Sequence, residues 1–424
     1  MAELKNSYSD NAVAVSLENG MTVTFEHLPY AHSATAGVWI KTGSANEPKN
    51  VTGISHFLEH LFFKGTPTRT ARQILEPIES RGGHLNAFTS REYTCVYTKM
   101  LDRHIATGID VLADIIKNST FAEMEKERNV ILEEIASLDD VPEDLIHELL
   151  ALRMWPAHPL GRSVSGYAET VSNIGLEQIR QYYGEWYHPA NMYFSIAGNF
   201  DKDTVLAQVT NEFGQLKAKP LLPRPGPPSF ASGIEVADKD IGQNHFCFGF
   251  PGPTVSEQRR YVYDVLWCAL GGGSTSRLFQ KIREDEGLAY SIYTFNSAYF
   301  TTGMFGVYAA VAPENFARTV DLSFEEICKL RDDGIPADEL ELNREHLKGS
   351  MLMSLEGTFN RMQRMAKSMM YYGRMLSIDE VLASLDAVTA EDISALSREI
   401  FQPDKCNVVA IGPAEHAPIS GIAL

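Results

Sequence analysis

The chain has 424 residues, 44% of them apolar, which is ample for globular cores and more than one core usually spans, so two domains are expected. Its 37 basic and 55 acidic residues leave a net charge of −18, which argues against nucleic acid or an anionic membrane as main partner. No apolar run approaches the length of a membrane span, and Cys95, Cys247, Cys268, Cys328 and Cys406, odd in number and unpaired in spacing, point to a reducing compartment.

The N-terminal stretch Met1–Asp10 lacks both an apolar signal core and the Arg-rich, acid-poor character of a presequence, so a cytoplasmic protein, or a mature form, is expected. A strand is predicted over Ala36–Ile40. The segment from Gly53 to Thr66 then reads as a short apolar helix ending at a glycine, with Ser55 near its start. Residues four apart lie one above the other on a helix, so His56 and His60 can point at one cation with Glu59 beside them. Neutral imidazole is a common zinc ligand, and three protein ligands leave a position for water. The order H-x-x-E-H reverses the more familiar H-E-x-x-H, and both are metallopeptidase patterns. A buried helix whose histidines merely satisfy hydrogen bonds is the other reading.

The run Gly82–Ser90 places small and apolar residues after two glycines, as an exposed edge strand would, and a second strand follows at Tyr93–Tyr97. His84 reads as a pocket-lining or surface side chain. From Glu123 to Leu138 a helix is predicted with Met124, Val130, Ile131, Ile135 and Leu138 on one broad face. Glu127 and Glu134 fall in the middle of that face, and Glu133 points away. Carboxylates on a buried stripe need a cation or strong donors. Glu134 is therefore expected as the third metal ligand and Glu127 as a carboxylate orienting a ligand; pairing of both with arginines would be the alternative.

A strand over Met192–Gly198 closes the first half. Five prolines in Pro220–Pro228 exclude helix and central strand, giving a semi-rigid linker. The expected division is a metal-binding domain at 1–218, a linker at 219–231 and a second domain at 232–424. The second half repeats the cycle with strands at His245–Phe250, Gly303–Tyr308 and Asn407–Gly412. Where the first half has His56 to His60, the second has Tyr261–Cys268, which offers no ligand set. Gly271–Arg277 is glycine-rich but lacks the Gly-Lys-Ser ending of a phosphate loop, so a flexible connection is expected.

The segments His56–His60, Gly82–Ser90, Glu127–Glu134 and Arg283–Tyr290 together resemble the pitrilysin or M16 metallopeptidase family, in the branch with mitochondrial processing peptidase and short bacterial homologues. The resemblance implies an α+β fold of two tandem similar domains, each a mainly antiparallel sheet backed by helices, facing each other across a chamber. It implies one zinc ion per chain on His56, His60 and Glu134, with Glu59 as general base. It implies that Arg283 and Tyr290, seven residues apart, contact substrate and oxyanion, and that Gly83, Asn86, Ala87 and Phe88 hold an extended peptide by main-chain hydrogen bonds. Because the family's chamber uses four domains, with the Arg-Tyr pair opposite the zinc, this chain is expected to form a homodimer in which Arg283 and Tyr290 act in trans; a heterodimer with a non-catalytic relative is the second choice. The implied activity is hydrolysis of peptides or unfolded segments. A scaffold subunit that keeps only the fold is the alternative, although a scaffold has no need of Glu59 beside both histidines.

Overall fold

The computed structural model describes residues 11–413, so the reading of Met1–Asp10 lies outside the described residues. The chain forms two compact units that interleave in sequence. One takes the chain up to Ala136, Ser163–Pro225 and Leu352–Glu380; the other takes Ser137–Arg162, Gly226–Met351 and the chain from Val381 on. The linear division at 1–218, 219–231 and 232–424 does not follow these units, because 137–162 and 352–380 each pack with the sheet of the other half. A proline-rich stretch marks where the chain carries no helix or strand, here 217–232, but says nothing of which helix covers which sheet.

In the first unit β1 (Val13–Ser16), β2 (Thr22–His27), β3 (Ser33–Ile40), β4 (His84–Thr89), β5 (Thr94–Leu101) and β6 (Met192–Gly198) form one sheet in the order β1-β2-β6-β3-β5-β4. All pairs are antiparallel except β2 with β6. Strand β3 is buried along nearly its whole length, as expected where both faces of a sheet are covered. Its Ala34, Ala36, Val38 and Ile40 join a core with Phe57, Leu58 and Leu61 of the Ile54–Leu61 helix, Ile109 and Leu112 of Ile105–Asn118, and Val209 of Lys202–Phe213. Alternation turns Thr35 and Gly37 to the other face. There the Thr358–Tyr372 helix lies so close that a Cβ on Gly37 would sit 2.8 Å from the Met362 sulfur. Hydroxyls of Thr35 and Thr358 bond at 2.7 Å, Ser195 Oγ donates to the Met362 carbonyl at 2.8 Å, and Arg361 pairs with the buried Glu26.

The second unit repeats the plan. Strands β7 (Gly233–Asp238), β8 (Asn244–Gly252), β9 (Ala289–Ala298), β10 (Gly303–Val311) and β11 (Asn407–Gly412) run in the order β7-β11-β8-β10-β9, with β7 and β11 parallel and the rest antiparallel. Phe246, Phe248 and Phe250 face helices Arg260–Gly271, Phe316–Asp333 and Ala390–Ile400. A Cβ on Gly249, on the opposite face, would meet Leu150 and Met154 of the Pro142–Met154 helix at 2.7 Å. The glycines at 271 and 272 serve close packing instead of flexibility. A Cβ on Gly271 would stand 2.7 Å from Thr294, and one on Gly272 would stand 2.7 Å from the Cys268 backbone.

Candidate metal centre

Gly53 opens the histidine helix at φ +97°, and a Cβ there would lie within 3.0 Å of the Ser165 and Gly166 backbone, so this entry needs glycine. Ser55 lies in the first turn, and the cap of the helix is supplied from elsewhere. The Glu47 carboxylate accepts the N–H groups of Gly53 at 2.7 Å and Ser55 at 2.8 Å, while the Ser55 hydroxyl meets that of Tyr182 at 2.8 Å. This satisfies orphan donors at the helix start. With Phe57, Leu58 and Leu61 locked in the core, His56, Glu59 and His60 are left partly accessible on the remaining face.

The imidazole Nε2 atoms of His56 and His60 stand 3.3 Å apart, and Glu134 Oε2 lies 3.7 Å from the first and 3.6 Å from the second. Two donors on a tetrahedral zinc, each at about 2.05 Å, would be separated by roughly 3.3 Å. Two imidazoles and one carboxylate at these separations therefore fit the ion, and this is the sole group of three or more such side chains among the described residues. His60 Nδ1 donates to Glu127 Oε2 at 3.2 Å, which leaves its Nε2 lone pair facing the cluster. Burial, then the neighbouring His60, lowers the His56 pKa to about 4, so this ring is neutral at neutral pH.

The Met124–Asp139 helix supplies both glutamates, but its buried stripe is narrower than its sequence suggests. Glu127 and Ile131 are its buried residues, whereas Val130 is 40% exposed and Met124, Ile135 and Leu138 are half-buried. Met124, Leu132 and Ile135 pack against the core only in part and Val130 is exposed, so the helical angle alone overstated the apolar face. Glu134, expected on that stripe, has a side chain 47% exposed and faces the two rings. Glu127, 3% exposed, pairs with Lys64 Nζ at 2.8 Å in addition to His60, and not with an arginine.

Strand β4 is the edge of its sheet. His84 and Asn86 are exposed, Leu85 and Ala87 are buried, and Phe88 stacks edge-on against Trp39, Tyr93, Tyr97 and Phe359. Gly83, just before it, packs so closely that a Cβ would lie 2.8 Å from Ile78. The sequence reading passed over Thr89, whose Oγ1 donates to Glu59 Oε2 at 2.5 Å. Burial raises the Glu59 pKa above the ordinary carboxylate value, opposed by this hydrogen bond. Arg283 and Tyr290 belong to the second unit. The guanidinium lies 4.9 Å from the Tyr290 ring centroid and 4.7 Å from that of Phe279, and Tyr290, near the start of the edge strand β9, is 80% exposed.

Known proteins match this chain in sequence and in fold. The sequence matches the family Insulinase (Peptidase family M16) over residues 22–167, which include the whole cluster, and the Peptidase M16 inactive domain over 173–347, which include Arg283 and Tyr290. This chain belongs to the M16 peptidase family. It is 40% identical to the uncharacterized zinc protease YmxG of Bacillus subtilis, covering 95% of this chain and 98% of that one. It is 38% identical to an uncharacterized zinc protease of Streptomyces coelicolor, over 96% of this chain and 90% of that one. Its fold matches a crystal structure of a protease from Helicobacter pylori with TM-score 0.90 at 22% identity, covering 96% and 100% of the two chains. A peptidase M16 inactive domain from Pseudomonas fluorescens matches with TM-score 0.88 at 18% identity, over 95% and 98%. No helix among the described residues is long and apolar enough to cross a membrane.

Proposed function

We propose that this chain is a zinc-dependent endopeptidase that hydrolyses peptides or unfolded segments within an enclosed chamber. The observation that carries the reading is the convergence of His56, His60 and Glu134 beside Glu59. His56, His60 and Glu134 would hold one zinc ion, in keeping with the zinc protease names of the relatives. When bound, zinc supplies a Lewis acid that polarises an amide carbonyl and acidifies water. Glu59 accepts the proton of the attacking water and returns it to the departing amine nitrogen as the C–N bond breaks. Its raised pKa suits a group that must both take up and give back a proton. The edge strand β4, through Asn86, Ala87 and Phe88 together with Gly83 just before it, holds the peptide backbone by strand addition, which gives affinity with little sequence specificity.

Arg283 and Tyr290 stabilise the oxyanion from the partner protomer of a homodimer. Their mutual stacking and the exposure of Tyr290, in a unit without the metal cluster, support that role. Cytoplasmic residence fits five cysteines, an odd count with no paired spacing.

The test measures zinc content and cleavage of a quenched fluorescent peptide with and without a chelator. One zinc per chain and chelator-sensitive cleavage, lost in Glu59→Gln with zinc retained, are expected; metal-free, inactive protein would support the scaffold reading instead. Mixing Glu59→Gln chains with Tyr290→Phe chains, each impaired alone, should restore activity, and no recovery despite proven exchange would remove the trans arrangement.

A further inference from the structure

We infer that Thr89 is a positioning residue that fastens Glu59, the base of the reaction proposed above, to the strand that presents the substrate; the inference rests on that reading. Thr89 is the last residue of β4, and its backbone is registered against Thr94 of β5. A β-branched side chain on a paired strand has a stiff χ1, so the donor at Oγ1 is held in place. Its 2.5 Å bond holds Oε2 of Glu59, and the Thr89 backbone N–H also donates to this carboxylate. Alternation puts Thr89 on the same face of β4 as the buried Leu85 and Ala87, toward the histidine helix, while His84 and Asn86 look outward. One strand therefore sets both the base and the proposed peptide backbone, and their separation does not depend on the free rotation of a glutamate.

The second unit repeats this contact without the metal donors. The order β2-β6-β3-β5-β4 corresponds to β7-β11-β8-β10-β9, with the first pair parallel in each. Positive-φ glycines end β6 and β11, with Gly198 registered to Ala34 and Gly412 close to Asn244. Counting from there, Ile40 and Thr94 lead to Thr89, and Phe250 and Phe305 lead to Asn296. Asn296 Nδ2 donates to Asp264 Oδ1 at 3.2 Å, and Asp264 lies on the Arg260–Gly271 helix that stands where the histidine helix stands in the first unit. Tyr261 and Val265 occupy the places of the two histidines when Asp264 is set on Glu59. The bond from helix carboxylate to edge strand thus belongs to the duplicated fold, and the first unit has placed a base in it. The second unit provides an internal control.

Thr89→Val, Thr89→Ser and Asn296→Ala are compared with Glu59→Gln by steady-state cleavage of the fluorescent peptide, by zinc affinity in chelator competition and by melting of the metal-free proteins. Misplacing a reacting group by about 1 Å can cost ~10²-fold, so Thr89→Val is expected to lower kcat by roughly 10- to 100-fold with KM and zinc affinity within about twofold of the parent. Thr89→Ser should recover most of the loss, and Asn296→Ala should lower the melting temperature without changing kcat. Thr89→Ala serves if the valine variant does not fold. Parent-like kcat in Thr89→Val, a loss that follows zinc affinity, or an equal loss in Asn296→Ala would each overturn the inference. Activity persisting in Glu59→Gln would instead sink the hydrolase reading itself.

Discussion

Replacing Glu127 with alanine should weaken zinc binding while leaving all three proposed ligands in place. Glu127 is 3% exposed and bridges two donors, with Oε2 on His60 Nδ1 at 3.2 Å and Oε1 on Lys64 Nζ at 2.8 Å. Its loss removes the acceptor that holds the His60 ring and its tautomer, and strands the Lys64 ammonium, whose side chain is only partly exposed. Partners of this kind are worth roughly 10–100-fold in metal affinity, or about 1.4–2.8 kcal/mol. Glu127→Gln separates the two effects, since its amide oxygen can still accept from His60 while its NH2 must face the ammonium, donor against donor. Adding Lys64→Met to Glu127→Gln should recover zinc affinity relative to Glu127→Gln alone. The measurement is competition with a chromophoric chelator at fixed pH, with Glu134→Gln as the reference for loss of a ligand. Unchanged affinity in Glu127→Ala, beside a clear loss in Glu134→Gln, would refute the claim that Glu127 orients the ligand.

Arg361→Met removes the partner of Glu26, a carboxylate 2% exposed whose other nearby cation, Arg364, is 3.9 Å away. A buried charge left in this way costs about 3–5 kcal/mol, read as a lower urea midpoint, and Glu26→Leu with Arg361→Met should restore most of it. Asp264 has its pKa raised to about 6 from the ordinary 3.8, by burial first, against the opposing effects of Arg260 and Asn296. The folded state then holds a proton that the unfolded chain releases between these values, so stability falls as pH rises from about 4 to 6. Asp264→Asn removes this dependence, and its stability relative to the parent should be more favourable at pH 7 than at pH 4 by about 2 kcal/mol; equal differences at the two pH values would contradict the assignment.

Much of this architecture is legible from local patterns. His56 and His60 share one side of a helix because of their spacing, and Glu127 and Glu134 share another for the same reason. The strands at 36–40, 192–198, 245–250, 303–308 and 407–412 announce themselves as apolar runs and lie within β3, β6, β8, β10 and β11. Less visible are contacts between residues whose types carry no common period. Thr89 reaches Glu59 across 30 residues, and Glu47 caps the histidine helix from outside its own segment. The Val130 side of the glutamate helix looked buried because periodicity reports which residues share a face, not whether anything covers it.

Side-chain chemistry and short-range geometry were settled along the chain: an imidazole pair with a carboxylate beside it, two glutamates a double turn apart, and a cycle of strands and helices repeated in the second half. Packing settled the rest. Only the assembled fold brings Glu134 within 3.7 Å of both rings, and draws the Thr358–Tyr372 helix onto the first sheet and the Pro142–Met154 helix onto the second. These outcomes depend on which apolar faces find one another over hundreds of residues, and that choice is made by the burial of whole surfaces, which no local spacing encodes.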